Sequence, residues 1–199
     1  MKWQSLLALI SDEPVFSSAL LLAGNVSPRQ IRLQLSRWVK DGRLIQLRRG
    51  LYALASVWRK EEPHMYLVAN RLQRGSYVST QSALAFHGMI PEHVPVVTSL
   101  GPGRPETLRN SLGSFQFHHL APALLFGYSQ IEVAREQFAF VASPEKALLD
   151  LIHMTPGADS VEYLRQLRLQ NPDAVHKSRI IELAQRSGKP KLMRAARLL

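Results

Sequence analysis

The sequence predicts an α+β fold: an N-terminal winged helix-turn-helix over residues 1–58, then a mixed α/β domain over 59–199 with a helical C-terminus. Three observations predict it. Residues 27–54, SPRQIRLQLSRWVKDGRLIQLRRGLYAL, read as a helix opened by Ser-Pro and followed by a hairpin around Arg48-Arg49-Gly50. Beyond residue 63, short strand signals interleave with short helix signals. Charge is also segregated. Residues 1–60 carry ten Lys/Arg and three Asp/Glu, residues 61–173 carry eight and eleven, and residues 174–199 carry seven and one. The ends are therefore basic (+7 and +6) and the middle is mildly acidic (−3). Solubility alone does not require such sorting, whereas a polyanionic partner favours it.

The elements follow in order. Residues 2–11 read as a helix with Trp3, Leu6, Leu7 and Ile10 on one side, ended by Asp12-Glu13-Pro14. Residues 17–23 read as a short second helix stopped by Gly24-Asn25. Ser27 then caps a third helix with Pro28 in its first turn. Ile31, Leu35, Trp38 and Val39 form its buried stripe, and Asp41-Gly42 closes it. Residues 44–47 and 51–54 are the hairpin strands of the wing. The charged, proline-ended stretch VWRKEEP over 57–63 marks the domain boundary.

In the second domain, residues 64–73 read as a helix stopped near Gly75, and Tyr77-Val78 as a strand. Ser79 caps a helix over 80–87, with Ala83, Leu84 and Phe86 packing inward and His87 bonding the terminal carbonyls. Residues 94–99, 114–119 and 137–142 read as strands, and GPGRP over 101–105 as a turn. Ser143-Pro144 opens a helix whose stripe is Ala147, Leu148, Leu151 and Ile152. Further helices run from Asp159 or Ser160 to about residue 169, from Asn171-Pro172-Asp173 to Gly188, and over 189–199.

On a helical wheel of about 100° per residue, the face of the third helix opposite its apolar stripe carries Arg29, Gln30, Arg32, Gln34, Ser36, Arg37 and Lys40. No carboxylate appears there before Asp41. Solvated helices mix charge signs because opposite charges support one another. Arginine suits guanine edges and glutamine adenine edges, so Arg29, Gln30 and Gln34 are the base-reading candidates. Leu33 beside them suits a thymine methyl. Arg32, Arg37 and Lys40 suit phosphates, and Arg48 and Arg49 at the wing tip suit the backbone or an adjacent minor groove. The competing reading is a solvated basic face on a winged helix that binds protein or RNA.

Composition excludes several classes. The chain has no cysteine, which removes disulfides and cysteine-based zinc sites. No apolar run approaches the roughly 18 residues of a membrane span. The N-terminus lacks a signal-peptide cleavage pattern, so the chain reads as soluble and cytoplasmic. The histidines at 64, 87, 93, 118, 119, 153 and 176 show no metal-binding spacing, and no P-loop, GxSxG or dinucleotide fingerprint occurs. Glu92, Glu106, Glu132, Glu136, Glu145 and Asp150 form no compact acidic motif. No catalytic residue, cofactor or metal site is assigned. A metal-dependent nuclease stands as a further alternative.

Taken together, RRGxYAL at 48–54, GSYVSxxSALxxHGMIPE at 75–92 and SPEKALLDLI at 143–152 resemble the AbiEi family of bacterial antitoxins, over roughly residues 1–155. That resemblance implies a transcriptional autorepressor that binds repeats in its own promoter. It also implies a partner toxin of the nucleotidyltransferase type, opposed without need of a stable complex. Carried onto this chain, it implies DNA contacts at Arg29, Arg32, Arg37, Lys40, Arg48 and Arg49, and places antitoxin activity in the C-terminal domain without naming residues.

Two segments keep open readings. Glu145, Lys146 and Asp150 are either contacts for a partner or, for Lys146 and Asp150 at i,i+4, a simple pair. The cations Lys177, Arg179, Arg186, Lys189, Lys191, Arg194 and Arg197 of the tail over 174–199 touch flanking DNA, face nucleic acid held by the toxin, or form a solvated surface. On that last reading Ile180, Ile181, Leu192 and Leu199 hold the tail down.

Overall fold

The computed structural model describes residues 1–10, 13–22, 27–91, 94–171 and 175–199. The expected helix stops at Asp12 and at Gly24-Asn25, and the side chains of Glu92 and His93, lie outside the described residues; the helix expected from Asn171-Pro172-Asp173 starts only at Lys177, after His176 in the cap position.

Helix α1 (Trp3–Ile10) buries Trp3, Leu6 and Ile10, as their spacing requires. The expected second helix is instead a two-residue strand β1 (Phe16–Ser17) and a 3-10 turn (Ser18–Leu22). So short a segment gives an α-helix little return on its costly nucleus, and its start is taken up by pairing with residues 51–52, where Phe16 stacks on Tyr52 at 5.9 Å. Helix α2 (Pro28–Lys40) buries Ile31, Leu35 and Trp38. It runs into strands β2 (Leu44–Arg48) and β3 (Leu51–Leu54), and the sheet order is β1-β3-β2. Trp3 meets Trp38 and Trp58 edge-on, both at 5.2 Å, so the segment after β3 folds back onto α1.

This small sheet is covered on both faces. Phe16, Leu44, Tyr52 and Leu54 belong to the core shared with α1 and α2. Val15, Leu47, Leu51 and Ala53 belong to the larger core, which runs on through residues 68–196. All four residues of β3 are buried and alternate between the two cores, the pattern of a strand with no solvent face. The wing is thus a shared wall and not a free flap.

The chain beyond the wing is built on a six-stranded sheet of order β6-β7-β5-β4-β9-β8. Its strands are β4 (Tyr77–Val78), β5 (Val96–Gly101), β6 (Glu106–Asn110), β7 (Gly113–His119), β8 (Tyr128–Ala134) and β9 (Gln137–Ala142). Pairs β5–β7 and β4–β9 are parallel and the others antiparallel. The sequence pattern did not reveal β6 and β8. Both are edge strands, mostly half-exposed, and their polar sequences ETLRN and YSQIEVA carry no apolar run; pairing with β7 and β9 makes them strands.

Helices α3 (Met65–Leu72), α4 (Thr80–Phe86) and α5 (Pro144–Met154) supply the core, with α5 buried from Glu145 through Ile152. Helix α6 (Val161–Gln166) starts at Ser160, whose hydroxyl accepts from the Tyr163 N–H. Helix α7 (Lys177–Ser187) ends at Gly188 in the left-handed region, φ 63°, where glycine meets no steric penalty. Helix α8 (Pro190–Leu198) buries Leu192, Ala195 and Ala196. The basic tail therefore belongs to the core packing and is not an appendage.

Candidate nucleic-acid interface

Helix α2 presents the face that the sequence predicts. Pro28 stands at its first turn, where a missing N–H costs nothing. Ser27 occupies the cap position in extended backbone, but its hydroxyl makes no capping bond. Arg29, Gln30, Arg32, Leu33, Ser36, Arg37 and Lys40 are exposed, and Gln34 is half-buried. Leu33 is 52% exposed, unusual for a leucine on a helix whose other leucine, Leu35, is fully buried. Gln30, Leu33, Gln34 and Arg37, with Met1 and Ile31, line a shallow depression of about 320 Å³.

Among the described residues, the side chains of Arg29, Arg32, Arg37 and Lys40 make no hydrogen bond or ion pair. Arg37 and Lys40 lie in the last turn, where the helix dipole favours cations. Arg29 lies in the first turn, which has no acidic residue, and there a cation opposes the dipole by about 0.3–1 kcal/mol. The helix tolerates that cost in its isolated form.

The wing departs from expectation. Arg49 is exposed and unpartnered among the described residues, as a phosphate-contacting tip requires. Arg48 is not free. Its Nη1 donates to Glu106 Oε1 at 2.8 Å and to the Leu72 carbonyl at 3.0 Å, both in the second domain. Sequence reasoning missed these partners because they lie 58 and 24 residues away. The one available signal was LYAL over β3, an unbroken apolar run that marks a strand covered on both sides.

Two of the segments that carry the family resemblance meet inside the second domain. The Tyr77 hydroxyl and the Ser79 hydroxyl donate to Asp150 Oδ2 at 2.8 and 2.7 Å. Lys146 Nζ donates to Asp150 Oδ1 at 2.6 Å and lies over the rings of Tyr77 and Phe126. Burial, then the adjacent Asp150 carboxylate, push the Tyr77 hydroxyl far above its ordinary value, so it remains a donor. Glu145 is 4% exposed and accepts from the His176 backbone N–H, which ties α5 to the start of α7. Lys146 and Asp150 are thus the internal pair, and burial removes all three residues from contact with a partner.

Three local expectations give way to longer-range bonds or to exposure. Ser79 spends its hydroxyl on Asp150 and does not cap α4. Phe86 is 40% exposed, packing against Tyr66 at the surface and not inward. His87 Nε2 bonds the Ala142 carbonyl of β9, not the carbonyls ending its own helix.

In the tail, Arg179 pairs with Glu182 and Arg194 with Asp159. Lys191 donates to the Thr155 carbonyl, and Arg186 lies 4.4 Å over the Phe126 ring. Lys177, Lys189 and Arg197 make no side-chain contact of this kind among the described residues. Ile180 and Leu192 are buried as expected, whereas Ile181 and Leu199 are half-buried. Among the described residues no group of three or more His, Asp or Glu is placed to hold a metal. No helix among them is long and apolar enough to cross a membrane.

These features meet one comparison. Residues 4–55 match the family model described as a transcriptional regulator, AbiEi antitoxin. The match bears out the family resemblance over the first of the three segments that carry it, RRGxYAL at 48–54, and it spans α1, β1, α2 and both wing strands. The family it describes is regulatory. No curated protein matches the chain.

Proposed function

We propose that this chain is a DNA-binding autorepressor and antitoxin, acting on its own promoter repeats and opposing a toxin of the nucleotidyltransferase type. The α2 face carries the reading. Four cations stand exposed with no counter-ion among the described residues, and one of them, Arg29, works against the dipole of its own helix. A phosphate backbone supplies the missing anions, and a helix of this width enters the major groove. The matched family description, which spans the same helix, supports the regulatory and antitoxin roles.

Salt dependence of duplex binding tests it. Five or six phosphate contacts give a log–log slope near −5, at about −0.9 for each phosphate held. Binding that ignores salt, or that survives Arg32→Ala with Arg37→Ala unchanged, sinks the DNA reading. Co-expression with a nucleotidyltransferase toxin tests the rest. The folded double variant is expected to lose repression and keep protection, and loss of both together would refute separate sites.

A further inference from the structure

We propose that strand β8 is a self-association surface. It pairs antiparallel with β8 of a second copy about a two-fold axis at Ile131, joining two six-stranded sheets into one. The inference goes beyond the DNA reading and holds or fails without it.

The phase of the β8–β9 ladder defines what the free edge offers. The Ser143 N–H donates to the Gly127 carbonyl at 2.9 Å, so residues 127 and 143 form a hydrogen-bonded pair. Such pairs alternate in an antiparallel ladder. Ser129–Val141 and Ile131–Ala139 follow as hydrogen-bonded pairs, with Gln130–Phe140 and Glu132–Phe138 between them. The Phe140 N–H agrees, since it turns away from β8 and donates to Asn70 Oδ1 at 2.6 Å. Gln130 and Glu132 therefore point their own N–H and C=O groups away from β9. Because β8 ends the sheet, no strand receives them among the described residues.

Such an edge is ordinarily blunted by charge, proline or a covering element. The opposite edge is: β6 carries Glu106 and Arg109, and Arg48 of the wing bonds Glu106. β8 has one charged residue, Glu132, and no lysine, arginine or proline. Its neighbour β9 adds two exposed aromatics, Phe138 at 47% and Phe140 at 43%, on the same face as Gln130 and Glu132. A second copy is the occupant because the strand complements itself. A register shift between Glu132 and Ala134 confines pairing to residues 129–133. With Ile131 on the two-fold, each Gln130 faces the second copy's Glu132, amide against carboxylate, and no charge meets its like. Their outward backbone groups close on each other in that register. One Glu132 carboxylate oxygen accepts from the Glu136 N–H at 3.0 Å, and the other is left for the amide. Phe138 flanks each such pair on one side, and the second copy's Phe140 on the other.

The chain has no cysteine, so single cysteines report the register. Two copies of Ile131→Cys meet with a Cα separation of about 4.5 Å, inside the disulfide range of about 4.4–6.8 Å. Two copies of Gln130→Cys meet only diagonally, about 7–8 Å apart. The full chain is oxidised with copper–phenanthroline in the absence of DNA. Ile131→Cys is expected to give disulfide dimer as its main product. Gln130→Cys, and Ser111→Cys in the exposed turn between β6 and β7, are expected to stay mostly monomeric. Sedimentation of the unsubstituted chain up to about 1 mM, a range suited to a contact below standard size, is expected to move from 22.4 kDa toward twice that mass. Gln130→Pro is expected to abolish the move, because it removes an outward N–H and no β8–β9 bond. Gln130→Thr keeps the N–H and is expected to keep the move, with thermal unfolding of both variants matching the parent. Equal cross-linking of all three cysteines, or association that survives Gln130→Pro, overturns the proposal. Monomer throughout, with no Ile131→Cys dimer, overturns it too and leaves the edge to a strand of another protein. Neither result touches the DNA reading, which the salt slope decides.

Discussion

Two helices of this chain begin with Ser-Pro, and their charges meet opposite fates. In α2, Ser27 makes no side-chain cap, and Arg29, Arg32, Arg37 and Lys40 stand in solvent without partners among the described residues. In α5, the Ser143 hydroxyl accepts from the Lys146 N–H, and eight residues in a row, Glu145 to Ile152, are buried. The cation of that run, Lys146, is neutralised one turn later by Asp150 and enclosed by aromatic rings. A charge serves the fold when its counter-ion lies at i+4 and the site excludes water. It is left for a partner when its own face carries one sign. The C-terminal helices fall between these cases: Arg179, Arg186, Lys191 and Arg194 are satisfied within the chain.

The sharpest way to break this contrast is Asp150→Ala. It strands the buried Lys146 together with the Tyr77 and Ser79 hydroxyls, and is expected to cost about 3–5 kcal/mol in urea unfolding. A loss below about 1 kcal/mol, typical of exposed pairs, would place the pair in effective contact with water. On α2, Arg32→Ala with Arg37→Ala is expected to leave unfolding within about 0.5 kcal/mol. The same change should flatten the salt slope of duplex binding by about 1.8. A comparable loss of stability would show that these arginines serve the fold.

The caps give a smaller and cleaner comparison. Ser143→Ala is expected to cost about 1 kcal/mol, the usual value of a working cap. Ser27→Ala removes no capping bond and should be close to neutral in the same denaturant experiment. Equal costs would mean that the two starts are stabilised alike.

Acid should act on the half-buried histidines outside α2, which itself carries none. Burial holds His153 on α5 below its ordinary value, and the charges of Lys189, Lys146 and Lys191 add to this against the opposing pull of Asp150. Burial likewise lowers His64 and His118. Because the folded values lie below the unfolded value of about 6.5, the unfolded chain takes up protons that the folded chain refuses. Stability is therefore fully present above about pH 6.5 and declines as pH falls below it. His153→Asn should reduce the difference between urea midpoints measured at about pH 7.5 and about pH 5.5, on either side of that value. An unchanged difference would clear His153 of the effect.

The legible parts of the fold were those with local signals. The stripe Ile31, Leu35, Trp38 foretold the buried side of α2, and Gly188 foretold the end of α7. Periodicity alone also placed the exposed face of α2, because a helix fixes which residues share a side. Edge strands β6 and β8 were illegible, since each is made a strand by a single neighbour and not by its own composition. The role of Arg48 was hidden for the same reason. A residue at a hairpin tip looks free in sequence, and it is engaged by Glu106 and the Leu72 carbonyl, 58 and 24 positions away. The tail cations were open to several roles because Asp159, Thr155 and Phe126, which engage Arg194, Lys191 and Arg186, are distant in sequence too.

By itself the sequence determined the winged helix and its one-signed face, and put Lys146 and Asp150 at a spacing that allows a pair, because i,i+3 and i,i+4 geometry is written in the spacing of residues. Only the tertiary structure decided that the wing is a wall between two cores, that Tyr77 and Ser79 close on Asp150, and which arginines remain free. Those outcomes depend on side chains brought together from distant parts of the chain, where burial and the nearest opposite charge determine what each group can do.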